Sequence, residues 1–150
     1  MYLYAGAPYK TQERIRFILD TLYHNDPDGL AGNEDCGQMS AWYVMSAMGL
    51  YAVDPVSGTY VLGTPLFESA KINVGGGKTL TIEAKRTSPT QKYVQSVALN
   101  GKKLDRLWVR HSDLVKNDRA GGATLTFTMG DEPNQQLGTD QKVAPPSLTT

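Results

Sequence analysis

Asn33, Glu34 and Asp35 stand side by side in GNEDCGQMSAWYVMSAMG, directly ahead of a largely apolar stretch. Two carboxylates and an amide at that spot admit two chemistries. Either side-chain type can accept the free N–H groups of a helix start, which is capping. A carboxylate there also has its ionised form favoured by the positive end of the helix dipole. That suits a general base that must be charged at neutral pH. One cap requires one side chain, whereas three polar residues are consecutive. Gly29, Gly32 and Gly37 thin the backbone around them, which allows a ligand to come close. Trp42, farther along, either fills the core or lines a sugar subsite. Both readings of the cluster stay open on local pattern alone.

Other apparent motifs fail on spacing. GGGKT resembles part of a phosphate loop, but the required earlier glycine is Ile72 and a strand pattern follows, so Gly75, Gly76 and Gly77 read as a turn. In DPDGLAGNEDCG the twelfth position from Asp26 is Gly37, where a calcium loop needs a bidentate glutamate. His24 and His111 fall on different elements and read as surface or hydrogen-bonded residues. With the single Cys36 they make no zinc pattern. Glu13, Glu68 and Glu83 read as solvated faces. No metal ligand is assigned within the chain.

Two helices must position the polar cluster. After Pro8, with Thr11 as the expected cap, Ile15, Ile18, Leu19, Leu22 and Tyr23 recur on one helical face, and the breakers after His24 end it. The second helix runs from about Gly37 to Met48 and stops at Gly49. Its apolar residues lie nearly all round, the mark of a helix buried on every side, so it reads as an inner helix of a larger helical assembly. Beyond Gly49 the pattern changes to period two. Tyr60–Leu62, LFESAKINV, TLTIEA, SVALNGKKL, LWVRH and ATLTFTM read as short strands, with Asn100-Gly101 as a hairpin turn. The sum is an α+β chain whose strands form an antiparallel sheet or small sandwich. The expected division is helices over 1–50, strands over 51–132 and a polar, Pro-bearing tail of little order over 133–150.

At 150 residues and 40% apolar content the chain fits one compact domain or a piece of something larger. A formal net charge of zero gives no electrostatic reason for nucleic acid or an anionic membrane as partner. No apolar run is long enough to span a bilayer. MYLYAGAPYKTQ lacks a leader pattern, and Tyr2, Leu3 and Tyr4 read as interior residues, so Met1 is expected to be a start set inside a longer protein.

DGLAGNEDCGQMSAWYVMSAMGLYAVDPVSGTYVLGTPLF is similar to the C-terminal part of the family 92 glycoside hydrolases. The resemblance runs upstream through YLYAGAPYKTQERIRFIL and downstream through VALNGKKLDRLWVRHSDL to LTFTMGDEPN. Members are exo-acting, calcium-dependent alpha-mannosidases that invert configuration. The resemblance implies a larger two-domain enzyme, in which the two helices close an (α/α)6-type barrel and the strands form a C-terminal sheet. It implies Asp35 as general base, with Glu34 as the alternative, and Asn33, Gln38 and Trp42 as substrate contacts. Inversion also requires an acid about 6.5–9.5 Å from the base. The family's acid and most of its calcium ligands match nothing in this chain, so the chain alone is expected to be inactive and to bind no calcium tightly. The implied partners are a mannose-containing glycan and the N-terminal portion of the parent enzyme, in a periplasmic or secreted setting associated with N-glycan degradation. The alternative is a non-catalytic carbohydrate-binding or structural module.

Overall fold

The computed structural model describes residues 2–115 and 122–147. Helix α1 is Pro8–Thr21, three residues longer at its start than the sequence pattern suggests. Proline suits the first helical position because its fixed φ is helical and its missing N–H would have been unpaired there. Thr11 is therefore an interior helical residue and not the cap. The helix ends before Tyr23, which leaves the spiral to form a bridge with Leu30. Leu22, expected on the buried stripe, is 40% exposed as a result. Two side chains tie α1 to the sheet. Gln12, itself buried, accepts from the Val94 N–H through Oε1 (3.0 Å), and Glu13 accepts from the Tyr93 hydroxyl (2.8 Å). Glu13 is thus a pairing residue, where the sequence suggested a solvated face.

Helix α2 is Gln38–Ala47. Its last turn is buried at Ser46 and Ala47, but Ala41 and Val44 are exposed and Trp42 and Met45 are half-buried. Within this chain the helix is covered on one side only, short of the all-round burial its apolar composition suggests. Gly49, at φ +85°, turns the chain into β1, Leu50–Tyr51. A methyl group there would lie 2.6 Å from the Pro65 ring, so the close approach requires glycine.

The strands form two sheets. β1, β2 (Thr59–Leu62) and β7 (Trp108–Arg110) make a small antiparallel one. The larger has the order β3-β4-β8-β5-β6, from Ser69–Gly75, Lys78–Lys85, Gly122–Gly130, Tyr93–Leu99 and Lys102–Leu104. The alternation read from the sequence holds: Leu80, Ile82 and Ala84 of β4 and Leu125, Phe127 and Met129 of β8 point into one core. Asn100 and Gly101, both with positive φ, make the β5–β6 turn, and Gly76-Gly77 make the β3–β4 turn. One pairing departs from expectation. β4 and β8 run parallel, so the sheet is mixed and not wholly antiparallel. The long connection through β5, β6, β7 and the short helix α3 (His111–Val115) supplies the crossover that parallel neighbours need.

The tail also departs from expectation over its described residues. Asn134 donates to the Gln95 carbonyl (3.1 Å), Leu137 packs against the core, and the Trp108 indole donates to the Val143 carbonyl (3.0 Å). A polar, proline-bearing composition leaves a segment disordered only when it has nothing to anchor it; these anchors hold residues 134–147. Residues 148–150 lie outside the described part.

Candidate active site

The approach to α2 is built from turns. After α1, Asp26 accepts the Asp28 N–H on its side chain (3.0 Å) and the Gly29 N–H on its carbonyl (3.2 Å), folding the chain back so that Leu30 meets Tyr23. The chain then enters a run that side chains rarely adopt: Asp35 (φ +52°), Cys36 (φ +57°) and Gly37 (φ +95°) are all left-handed. A left-handed non-glycine residue costs roughly 1–2 kcal/mol. Two of them stand in succession here on exposed residues, and such strain gathers at functional sites.

The structure gives the two carboxylates of the cluster different partners. Glu34 is the cap. Its Oε1 accepts the Ser40 N–H (3.2 Å) and its Oε2 accepts the Ser40 hydroxyl (3.0 Å), while its carbonyl accepts the Met39 N–H (3.1 Å). Asp35 contributes only its carbonyl, to the Gln38 N–H (3.2 Å). Its carboxylate is exposed and has no hydrogen-bond partner among the described residues, and the same holds for the Asn33 side chain. The left-handed turn thus places adjacent carboxylates in different settings: one bound to the helix, the other presented to solvent.

The expected substrate contacts are distributed unevenly. Gln38 is exposed, but its amide donates to the Tyr51 hydroxyl (3.3 Å). Trp42 is half-buried and stacks on Tyr23, with centroids 5.7 Å apart and planes within 16°. Tyr23 also packs on Tyr43 (4.9 Å) and donates to the Met39 carbonyl (3.3 Å). Burial first, then the charge of Glu34 and the neighbouring Tyr51, raises the Tyr23 phenol above its ordinary pKa. Beside this aromatic group lies a cleft of about 440 Å³ lined by Tyr23, His24, Leu30, Ser40, Tyr43 and Val44, among others. None of Asn33, Asp35, Gln38 or Trp42 lines it; only Glu34 reaches it, through Ser40. Ser40, Tyr51, Tyr23 and Tyr43 were not singled out by the sequence as site residues. The Glu34–Ser40 spacing of six lies outside the capping-box spacing, so no local motif signals it. His111, away from this region, pairs through Nδ1 with the Tyr60 hydroxyl (3.1 Å).

Among the described residues the carboxylates do not gather into a donor set for a calcium ion. Calcium takes six to eight oxygens, and no group of three or more His, Cys, Asp or Glu side chains converges among the described residues. Glu34 is already engaged by Ser40, and Asp35 stands apart.

The sequence model of the glycosyl hydrolase family 92 catalytic domain matches residues 1–131. An uncharacterized secreted glycosidase of Arthroderma benhamiae is 32% identical over 151 residues, covering 99% of this chain and 19% of that protein. Two solved structures from Bacteroides thetaiotaomicron superimpose closely. A family GH92 alpha-mannosidase in complex with mannoimidazole gives a TM-score of 0.88 at 39% identity, over 98% of this chain and 19% of that one. A family GH92 inverting mannosidase gives 0.87 at 38%, over 99% and 20%. The chain therefore spans about one fifth of the length of these relatives.

Proposed function

This chain belongs to glycosyl hydrolase family 92, and on that premise we propose that it is the C-terminal portion of an inverting alpha-mannosidase and supplies its general base, Asp35. The observation that carries the assignment is the division of labour at the helix mouth. Glu34 is held by Ser40 on both oxygens, whereas the Asp35 carboxylate is exposed and unengaged among the described residues. An inverting base must accept a proton from the attacking water, so a carboxylate free of other donors suits the task better than a capped one. Asn33, Gln38 and Trp42 remain proposed sugar contacts. Trp42 offers a ring face, and Gln38 would exchange its bond to Tyr51 for one to a hydroxyl.

The acid partner and the calcium shell belong, on this reading, to the rest of a longer protein, and the chain alone does not hydrolyse mannosides. α1 and α2 are barrel helices whose exposed apolar faces meet the upstream portion. The substrate is a mannose-terminated glycan, and the protein works outside the cytoplasm, as the secreted relative does. No helix among the described residues is long and apolar enough to cross a membrane.

The test is hydrolysis of an alpha-mannosyl substrate by the intact protein and its variants, with the first-formed anomer followed by NMR. Asp35→Asn is expected to lower kcat about 10²–10⁴-fold, and the intact protein to release the inverted, beta anomer first. Unchanged activity in Asp35→Asn returns the cluster to capping alone. An intact protein that binds mannosides without cleaving them establishes the carbohydrate-binding module instead.

A further inference from the structure

Ser46 of α2 is 3% exposed, and its hydroxyl finds no hydrogen-bond partner among the described residues. The Thr11 hydroxyl on α1 is in the same condition. Both residues line one small cavity of about 20 Å³, together with Ile15, Leu50, Tyr51, Val61, Leu62 and two glycines, Gly49 and Gly63. A polar hydroxyl taken from water without a partner is costly, so two facing one void is an arrangement that folding avoids unless something joins them. A cavity needs about 10–15 Å³ of this kind of space to hold one water, and that water needs two to four polar partners. The volume admits one molecule. The two hydroxyls supply the two partners that such a water needs at minimum.

We infer that this cavity is a binding site for a single structural water that bridges Thr11 and Ser46 and thereby joins α1 to α2. The position matters for the helix mouth. The water pins the last turn of α2, at the opposite end from Glu34 and Asp35, and fixes the rotation of the helix against α1. Glycine at 63 helps to keep the space open. A methyl group at Gly63 would approach Ile15 Cδ1 to 3.2 Å, which would press that side chain against the cavity it lines.

A crystal structure of the intact protein, at a resolution that shows ordered water, is the first test. A peak within hydrogen-bond distance of both Thr11 Oγ1 and Ser46 Oγ supports the site. Hydroxyls bonded to each other or to backbone carbonyls, with no peak between them, overturn it. Thermal unfolding of Thr11→Val, Ser46→Ala and the double variant gives an independent reading. Two hydroxyls that share one water are coupled, so the double variant should lose clearly less Tm than the sum of the singles. Strict additivity overturns the bridge. If a variant fails to fold, the density in the unaltered protein decides.

Discussion

Asp35 and Glu34 are adjacent in the chain yet sit in different surroundings, Glu34 accepting two bonds from Ser40 and Asp35 turned away by a left-handed backbone at Asp35 and Cys36. Removing the Glu34 carboxylate should be felt as lost capping. Glu34→Ala is expected to cost about 1 kcal/mol, measured by denaturant unfolding, whereas Asp35→Asn should leave the unfolding midpoint nearly unchanged while activity falls. The opposite pattern would interchange the roles. Cys36 shares the strained turn (φ +57°), and its side chain is exposed. Cys36→Gly removes the left-handed penalty but loosens the unfolded chain, so a net stabilisation of up to about 1 kcal/mol is expected in thermal unfolding. A destabilised variant would show that the Cys36 side chain contributes packing or bonding that outweighs the strain.

At the scale of elements, α1 is held to β5 by Gln12 on Val94 and by Tyr93 on Glu13. Burial first, then the hydrogen bond and charge of Glu13 and the charge of Glu132, pushes the Tyr93 phenol up to about 12. The folded state therefore favours the neutral phenol. Its benefit is complete below the ordinary tyrosine value near 10. It is lost as pH rises from there toward about 12, because the unfolded chain releases its proton first. Thermal stability should thus decline through that window, and Tyr93→Phe should make the decline shallower without abolishing it, since burial also raises Tyr4 and Tyr23. An identical slope in the variant would remove Tyr93 as a cause.

The same elements show what could be read from sequence. Leu80, Ile82 and Ala84, and Leu125, Phe127 and Met129, announce their strands because one buried face imposes period two. Asn100-Gly101 announces its turn because few other pairs tolerate those angles. The direction of the β4–β8 pair is invisible, since alternation is the same for parallel and antiparallel neighbours. The Glu34–Ser40 bond is equally silent, and so is the positive φ at Cys36; an Asp such as Asp35 tolerates that backbone more often than most residues but does not require it. The NED cluster itself was legible; which carboxylate caps and which stands free was not. The tail misleads by composition: Leu137 and the Trp108–Val143 bond are single anchors in a polar stretch.

For the whole molecule, apolar surface is the dominant fact. Phe17 (55%), Val44 (53%), Val56 (95%) and Phe67 (48%) are exposed, in a chain that spans about one fifth of the relatives' length. Bare apolar surface of this kind favours association. The isolated chain is expected to self-associate as its concentration rises, measured by light scattering after size exclusion, and Phe17→Lys with Val44→Lys should shift it toward monomer. A chain that stays monomeric throughout would mean these faces are too scattered to act as one patch.

The place of β8 in the sheet also sets an order of events. The strand lies between β4 and β5 although it comes after both in sequence. During synthesis, β3–β4 and β5–β6 can each form as a hairpin, but they cannot join until Gly122–Gly130 has left the ribosome and slotted between them. Those pairings close long loops, which slows the search for the native arrangement. Until then β4 and β5 would each present an open edge of unpaired N–H and C=O groups, and the hazard expected in that interval is pairing with another copy of the chain.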